Sequence, residues 1–192
     1  MIVNTAWIFD VDGVITDPSE KRVSKPQILV HIANKLKLGE PVAFNTGRSS
    51  SWLIERVINP LLGMIEDKSV LENFIAVSEK GGCWATFDKD GTMQEDKDDS
   101  ISVPSSGKGF ATNRILELLK KKGIIPKQFI AFGDSPSDIQ MAKMLHQKNL
   151  AFTFIFVDDK GQLKGREHPF PIVYTQNKFD KGTLEFLNNR HS

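Results

Sequence analysis

Two acids, Asp10 and Asp12, close the apolar run "AWIFDV" and stand directly before Gly13. Carboxylates this close repel each other, so a strand that ends on them needs opposite charge nearby or a use for both. Polar text of complementary kind recurs along the chain. "NTGRSSS" carries Thr46, Gly47 and Arg48; "SEKGG" carries Lys80; "SSGKG" carries Lys108; "GDSPSD" carries Asp134 and Asp138. Acids of this kind serve as proton donors and acceptors or as oxygen ligands for a hard cation. A hydroxyl beside a glycine and a lysine at a helix start suit a bound anion.

Taken singly, each of these has a plainer reading. A pair of acids at a strand end is as often a solvated turn as a site. Thr46 alone reads as a cap or turn residue, and Lys108 alone as a surface lysine. "SSGKG" fails as a nucleotide P-loop because the upstream glycine and the following Ser or Thr are missing. Asp134 and Asp138 could form a turn and a helix-start charge. Arg48 is equally a solvated helix-start arginine and a phosphate ligand.

The elements that must position them alternate. Short runs rich in β-branched and aromatic residues, "AWIFDV", "PVAFNT", "NFIAVSE", "QFIAFGD", "AFTFIFVD" and "PIVYT", are separated by longer amphipathic segments. That order predicts strands and helices taking turns in a doubly wound parallel α/β sheet. Ile28, Leu29, Ile32, Ala33 and Leu36 recur at helical spacing, with Ser24 as the expected N-cap and Gly39 as the stop. A second helix is expected from about residue 50 to 62, distorted or ended by Pro60. A third carries Ile115, Leu118 and Leu119 and closes at "KKKG"; a fourth runs near residues 137–146. In such a sheet, ligands gather at the carboxyl ends of the strands. All the polar clusters except "SSGKG", which is placed at a helix start, follow directly on a predicted strand. They therefore belong to one convergent site.

One segment breaks the alternation. Residues 83–106 read "CWATFDKDGTMQEDKDDSISVPSS", with Asp90-Gly91 placed as a hairpin turn. It predicts a small β-hairpin-like insertion, at most a flap, in a core made of residues 1–82 and 107–192. A calcium-loop alignment of Asp88, Asp90 and Gly91 puts Thr86 first and Lys97 last, where carboxylates are needed.

Composition narrows the partners. The 192 residues hold 25 Lys plus Arg against 24 Asp plus Glu, a net charge of +1, so no overall field draws the chain to nucleic acid or an anionic membrane. Cys83 is the single cysteine, which excludes an internal disulfide and a thiolate metal cage. Asp10 interrupts the first apolar run, so a signal peptide is not expected and a cytoplasmic location is.

The set Asp10-Val11-Asp12-Gly13, Thr46 in "NTGR", Lys108 in "SGKG" and Asp134 with Asp138 in "GDSPSD" resembles the four signature motifs of the haloacid dehalogenase (HAD) superfamily of phosphohydrolases, in their usual order. "SEKGG" is similar to the Glu-Asn-Gly-Ala stretch of the Cof-like sugar phosphatases, the type IIB branch, with Lys80 in place of the asparagine. That resemblance implies a Rossmann-like core with a reduced cap: "VITDPSEKRV" leaves the first cap position unoccupied, and residues 83–106 fall at the second.

It also implies roles. Asp10 would be the nucleophile that takes the phosphoryl group, and Asp12 the general acid and base. Thr46 and Lys108 would hold the phosphoryl oxygens and their charge, with Gly47, Arg48 and Lys80 as substrate-binding residues. Mg²⁺ would be held by Asp10, Asp134, Asp138 and the backbone carbonyl of Asp12. A carboxylate at Asp12 resembles the phosphatase and phosphomutase branches, and the small insertion disfavours a mutase. The expectation is a Mg²⁺-dependent phosphatase that forms an aspartyl phosphate and acts on a phosphorylated small molecule such as a sugar or sugar-acid phosphate. An open site suggests either a large substrate or a homo-oligomer that covers it. The alternatives are a sugar phosphomutase and a non-catalytic, phosphoryl-accepting regulatory protein.

Overall fold

A computed structural model describes residues 1–98, 107–158, 160–163 and 167–190. Its strands are β1 (Ile2–Phe9), β2 (Val42–Asn45), β3 (Phe74–Ser78), β4 (Cys83–Phe87), β5 (Met93–Lys97), β6 (Ile125–Gly133), β7 (Phe152–Phe156) and β8 (Ile172–Tyr174). They form a single eight-stranded sheet in the order β5-β4-β3-β2-β1-β6-β7-β8. The six strands β3-β2-β1-β6-β7-β8 are parallel; β4 and β5 join antiparallel at one edge.

Period-two alternation gives the sheet two apolar faces. Along β1, Trp7 and Phe9 enter one core while Ala6 and Ile8 enter the other. The first core is covered by α1 (Pro26–Lys37), by the helix that runs through α2 (Ser50–Leu53) and α3 (Asn59–Gly63), and by α6 (Phe179–Asn189). The second is covered by α4 (Lys108–Lys121) and α5 (Ile139–Gln147). The result is the doubly wound α/β sandwich expected from the alternation. Phe9, Phe44, Phe74, Phe132 and Phe154 are fully buried, each burial contributing roughly 1.5–3 kcal/mol against an exposed ring.

Several local expectations are refined. Pro60 neither ends nor sharply breaks its helix. One wide turn, Ile54–Ile58, precedes it, and the Asn59 N–H reaches back to the Ile54 carbonyl. This five-residue spacing absorbs the proline ring that an ordinary turn would clash with. Ser24 does not cap α1: that cap position is Lys25, with no side-chain bond, and the Ser24 hydroxyl donates instead to buried Asp180 of α6. Gly39 does stop α1, in the left-handed region at φ +74°. Helix α6 was not foreseen, and neither was the union of the hairpin with the main sheet.

That union fixes where the insertion lies. Ser78 pairs with Cys83 and Ile75 with Thr86, so β4 runs from the carboxyl end of β3 back toward its start. The Asp88–Thr92 turn therefore sits at the opposite end of the sheet from Asp10. There Asp88 Oδ1 accepts from the Asp90 and Thr92 N–H groups. Arg114 of α4 ties the returning strand down, bonding Asp98 at 2.7 Å and lying 4.3 Å from the Trp84 ring centre. The hairpin widens the sheet and does not fold over its carboxyl edge. Residues 99–106 of the insertion lie outside the described residues. Among the described residues, no helix is long and apolar enough to cross a membrane.

Candidate active site

The central strand β1 is flanked by β2 and β6, so the loops that leave these three strands meet at one edge. Asp10 follows β1 directly, and its N–H continues the ladder to the Phe132 carbonyl at 3.0 Å. On the opposite face of the sheet, the rings of Phe9 and Phe132 stack at 4.7 Å. Deep burial pushes the Asp10 carboxyl well above the usual carboxylate range. Lys108 pulls it down, while Asp138 and Asp134 push it further up.

Asp134 and Asp138 arrive from the end of β6. Gly133 permits this, because a Cβ there would collide with Asp138. Asp138 is completely buried at the start of α5, and its Oδ2 accepts from the Asp134 N–H (3.2 Å), the Ser135 N–H (3.0 Å) and the Ser135 hydroxyl (2.7 Å). Its Oδ1 lies 3.1 Å from Lys108 Nζ yet has no well-directed hydrogen bond. Gly13, at φ +72°, gives room on the other side, since a Cβ there would overlap the Asp134 carboxylate. Burial, then the neighbouring Asp138, pushes Asp134 up to about 7.

Oxygen atoms of Asp10, Asp134 and Asp138 lie within 4.8 Å of one another. Three hard carboxylate donors, one with an oxygen lacking a proper donor, match the ligand chemistry of Mg²⁺. The group was expected to include Asp12 through its backbone carbonyl; the Asp12 carboxylate itself is turned toward Arg48.

Lys108 opens α4, preceded by Gly107 in an extended left-handed conformation at φ +137°. Its Nζ donates to Asp10 Oδ1 and to the Asn45 carbonyl, the latter at 2.7 Å. Burial would lower the ammonium, but the Asp10 and Asp138 carboxylates outweigh it and hold the group above its ordinary value. Lys108 is thus a charged centre joining β1, β2 and α5.

The β2 exit carries Thr46, Gly47 and Arg48. Thr46 is completely buried, its Oγ1 accepting from the Arg48 N–H at 3.1 Å. Arg48 Nε and Nη2 donate to the two oxygens of Asp12, both at 2.9 Å, and Trp52 stacks beneath at 4.9 Å. Hydrogen bonding to Asp12 raises the guanidinium further. Lys21 Nζ approaches Asp12 Oδ1 at 3.8 Å from the loop that follows β1. The β3 exit carries Glu79 and Lys80, both left-handed, at φ 50° and 57°. The Lys80 N–H bonds the Thr46 carbonyl at 3.2 Å, and its side chain crosses over Gly47.

A scan of family models finds no match to this chain, and no curated protein matches it in sequence. Solved structures do match. A haloacid dehalogenase-like hydrolase from Bacteroides thetaiotaomicron superposes with a TM-score of 0.62 at 11% identity, over 98% of this chain and 100% of that one. Aspergillus fumigatus trehalose-6-phosphate phosphatase gives 0.60 at 12% identity, over 97% and 93%. A C-terminally truncated Plasmodium falciparum IMP-nucleotidase gives 0.56 at 10%, over 97% and 70%. The chain has the haloacid dehalogenase fold.

In this HAD fold, Asp10, Asp134, Asp138 and Lys108 form one contiguous cluster, with Thr46 one residue beyond a carbonyl bound to Lys108. Gly47, Arg48, Asp12 and Lys80 line the adjoining loops. Two contributors were not read from the sequence. Asn45 is fully buried and donates from Nδ2 to the Lys108 carbonyl (3.0 Å) and the Thr112 hydroxyl (3.1 Å), fixing the start of α4. An asparagine at the last position of an otherwise apolar strand was the available signal. Lys21 offered none, being one lysine in a charged loop.

Proposed function

We propose that the chain is a Mg²⁺-dependent phosphatase of phosphate monoesters. The observation that carries this reading is the joint placement of Asp10, Asp134, Asp138 and the Lys108 ammonium at the carboxyl end of the central strand. Asp10, Asp134 and Asp138, with the Asp12 carbonyl, would hold the ion, which would offset the charge of carboxylate and phosphate as they approach.

Asp10 Oδ1 is held by the Val11 N–H at 2.6 Å and by Lys108, so Oδ2 is the oxygen presented to phosphorus. Its attack forms the Asp10–phosphorus bond as the ester P–O bond breaks. Asp12 gives a proton to the departing alcohol. Water then attacks the aspartyl phosphate, Asp12 takes its proton, and phosphate leaves with Asp10 regenerated. Thr46 and the backbone beside Gly47 hold the phosphoryl oxygens, and Lys108 stabilises their charge. The substrate class is a phosphorylated small molecule.

Steady phosphate release from p-nitrophenyl phosphate with Mg²⁺, abolished in Asp10→Asn and strongly reduced in Asp12→Asn, is the expected result. Phosphate retained on the protein after one equivalent would replace this reading with a phosphoryl-accepting regulatory protein.

A further inference from the structure

Three loops each bring one cation to the mouth of this site. Lys21 comes from the β1 exit, Arg48 from the β2 exit and Lys80 from the β3 exit. Lys21 and Lys80 do so from left-handed backbone, at φ 54° and 57°, a conformation that side-chain-bearing residues adopt only when the surroundings impose it. The first loop is built to hold Lys21. Its N–H bonds the Asp17 carbonyl at 3.0 Å, and the Asp17 carboxylate accepts from the Ser19 and Glu20 N–H groups, each at 2.8 Å. The second cation is seated on the Trp52 ring. The third lies along Gly47, next to Arg48.

Among the described residues, Asp12 is the single carboxylate that Arg48 and Lys21 share. Its two oxygens fill the guanidinium fork at 2.9 Å each, so the mouth already shows which shape it accepts: a planar, bidentate oxyanion. In the phosphatase reading on which this rests, Asp12 serves the leaving oxygen, so Lys21 and Arg48, which contact it, stand on the leaving-group side.

We infer that Lys21, Arg48 and Lys80 form a second anion subsite, and that the substrate is a phosphomonoester whose alcohol part carries a carboxylate. The substrate carboxylate takes the fork from Asp12, with Lys21 beside it and Lys80 reaching it from the Gly47 loop. A neutral alcohol supplies no anion to any of the three.

The test compares a matched pair, 3-phosphoglycerate and glycerol 3-phosphate, which differ by carboxylate against hydroxymethyl, with p-nitrophenyl phosphate as reference. The wild-type chain is expected to favour 3-phosphoglycerate in kcat/KM by about tenfold or more, the worth of one charge-assisted contact. Lys21→Gln, Lys80→Gln and Arg48→Lys should each shrink that ratio, the last because it keeps charge and loses the fork. Equal kcat/KM for the pair, or a ratio untouched by all three substitutions, would overturn the inference while p-nitrophenyl phosphate turnover leaves the phosphatase reading standing. No release from any of the three compounds would overturn the phosphatase reading instead. A preference for fructose 1,6-bisphosphate over 3-phosphoglycerate would overturn the carboxylate assignment in favour of a second phosphate.

Discussion

Arg48 grips Asp12 through both carboxylate oxygens at 2.9 Å, while the aromatic face of Trp52 supports the guanidinium from below. The pair joins the exits of two neighbouring strands, while the cluster around Asp10 is met by Lys108, the one cation in contact with it among the described residues. Each half of the site therefore has its own set of cations, and the two halves should respond separately to mutation.

Arg48→Ala should lower kcat/KM for p-nitrophenyl phosphate by about tenfold or more, because this substrate brings no carboxylate to the fork, and Asp12 then relies on Arg48 for its orientation. Stability should change by under about 1 kcal/mol, since the pair is partly exposed and screened. Initial rates and thermal melts on the same preparation check both.

Metal-free stability should depend on pH with a defined sign. Folded Asp134, held near 7, binds a proton that the unfolded chain releases at about pH 4, and Asp10 is raised in the same direction. Their contribution is therefore fully present below about pH 4 and is lost as pH rises through about 7. Melts in chelator should show the melting temperature falling from about pH 5 to about pH 8. Mg²⁺ competes with those protons, so its stabilising effect should be larger at about pH 8 than at about pH 5.

Gly13→Ala should cripple the acid cluster. A methyl group there overlaps the Asp134 carboxylate, and φ +72° is unfavourable to any side chain. Mg²⁺ affinity by calorimetry should fall about tenfold or more, with a loss of about 1 kcal/mol or more in stability. Unchanged affinity would show that Asp134 is not held where the metal ligands meet.

Asn45→Ala tests a positioning residue. Without its two bonds to Lys108 and Thr112, the first turn of α4 can shift and carry the ammonium away from Asp10. The expected signature is a drop in kcat of about tenfold with KM little changed, because Lys108 matters most where charge develops. The Thr112 hydroxyl and the Lys108 carbonyl keep their own 2.7 Å bond to each other, so the cost in stability should stay near about 1 kcal/mol, the net worth of a lost hydrogen bond.

The strands were readable because each is a short, nearly unbroken apolar run, and parallel strands buried on both faces look like that. The cluster was readable for a related reason: polar residues bunched at the exits of such runs have one edge to occupy. Helix α6 hid behind Gly182, which weakens a helical pattern. It is required because a Cβ there would strike the Asn177 carbonyl. The Ser24–Asp180 bond spans most of the chain, and no local signal could have reassigned that serine from a cap. The Arg48–Asp12 fork was equally hidden. Sequence spacing placed both residues at the edge, but which charge faces which depends on side-chain direction. The antiparallel edge pairing of β4 on β3 followed from hydrogen-bonding partners, not from composition, so residues 83–98 were readable as a hairpin and not as part of the sheet.

Because the Lys89–Asp90 bend points away from the reacting edge, it is a natural place for a handle. A short peptide tag or a surface-coupling group grafted there would tether the molecule by its blunt pole and leave the opposite pole facing the bulk liquid.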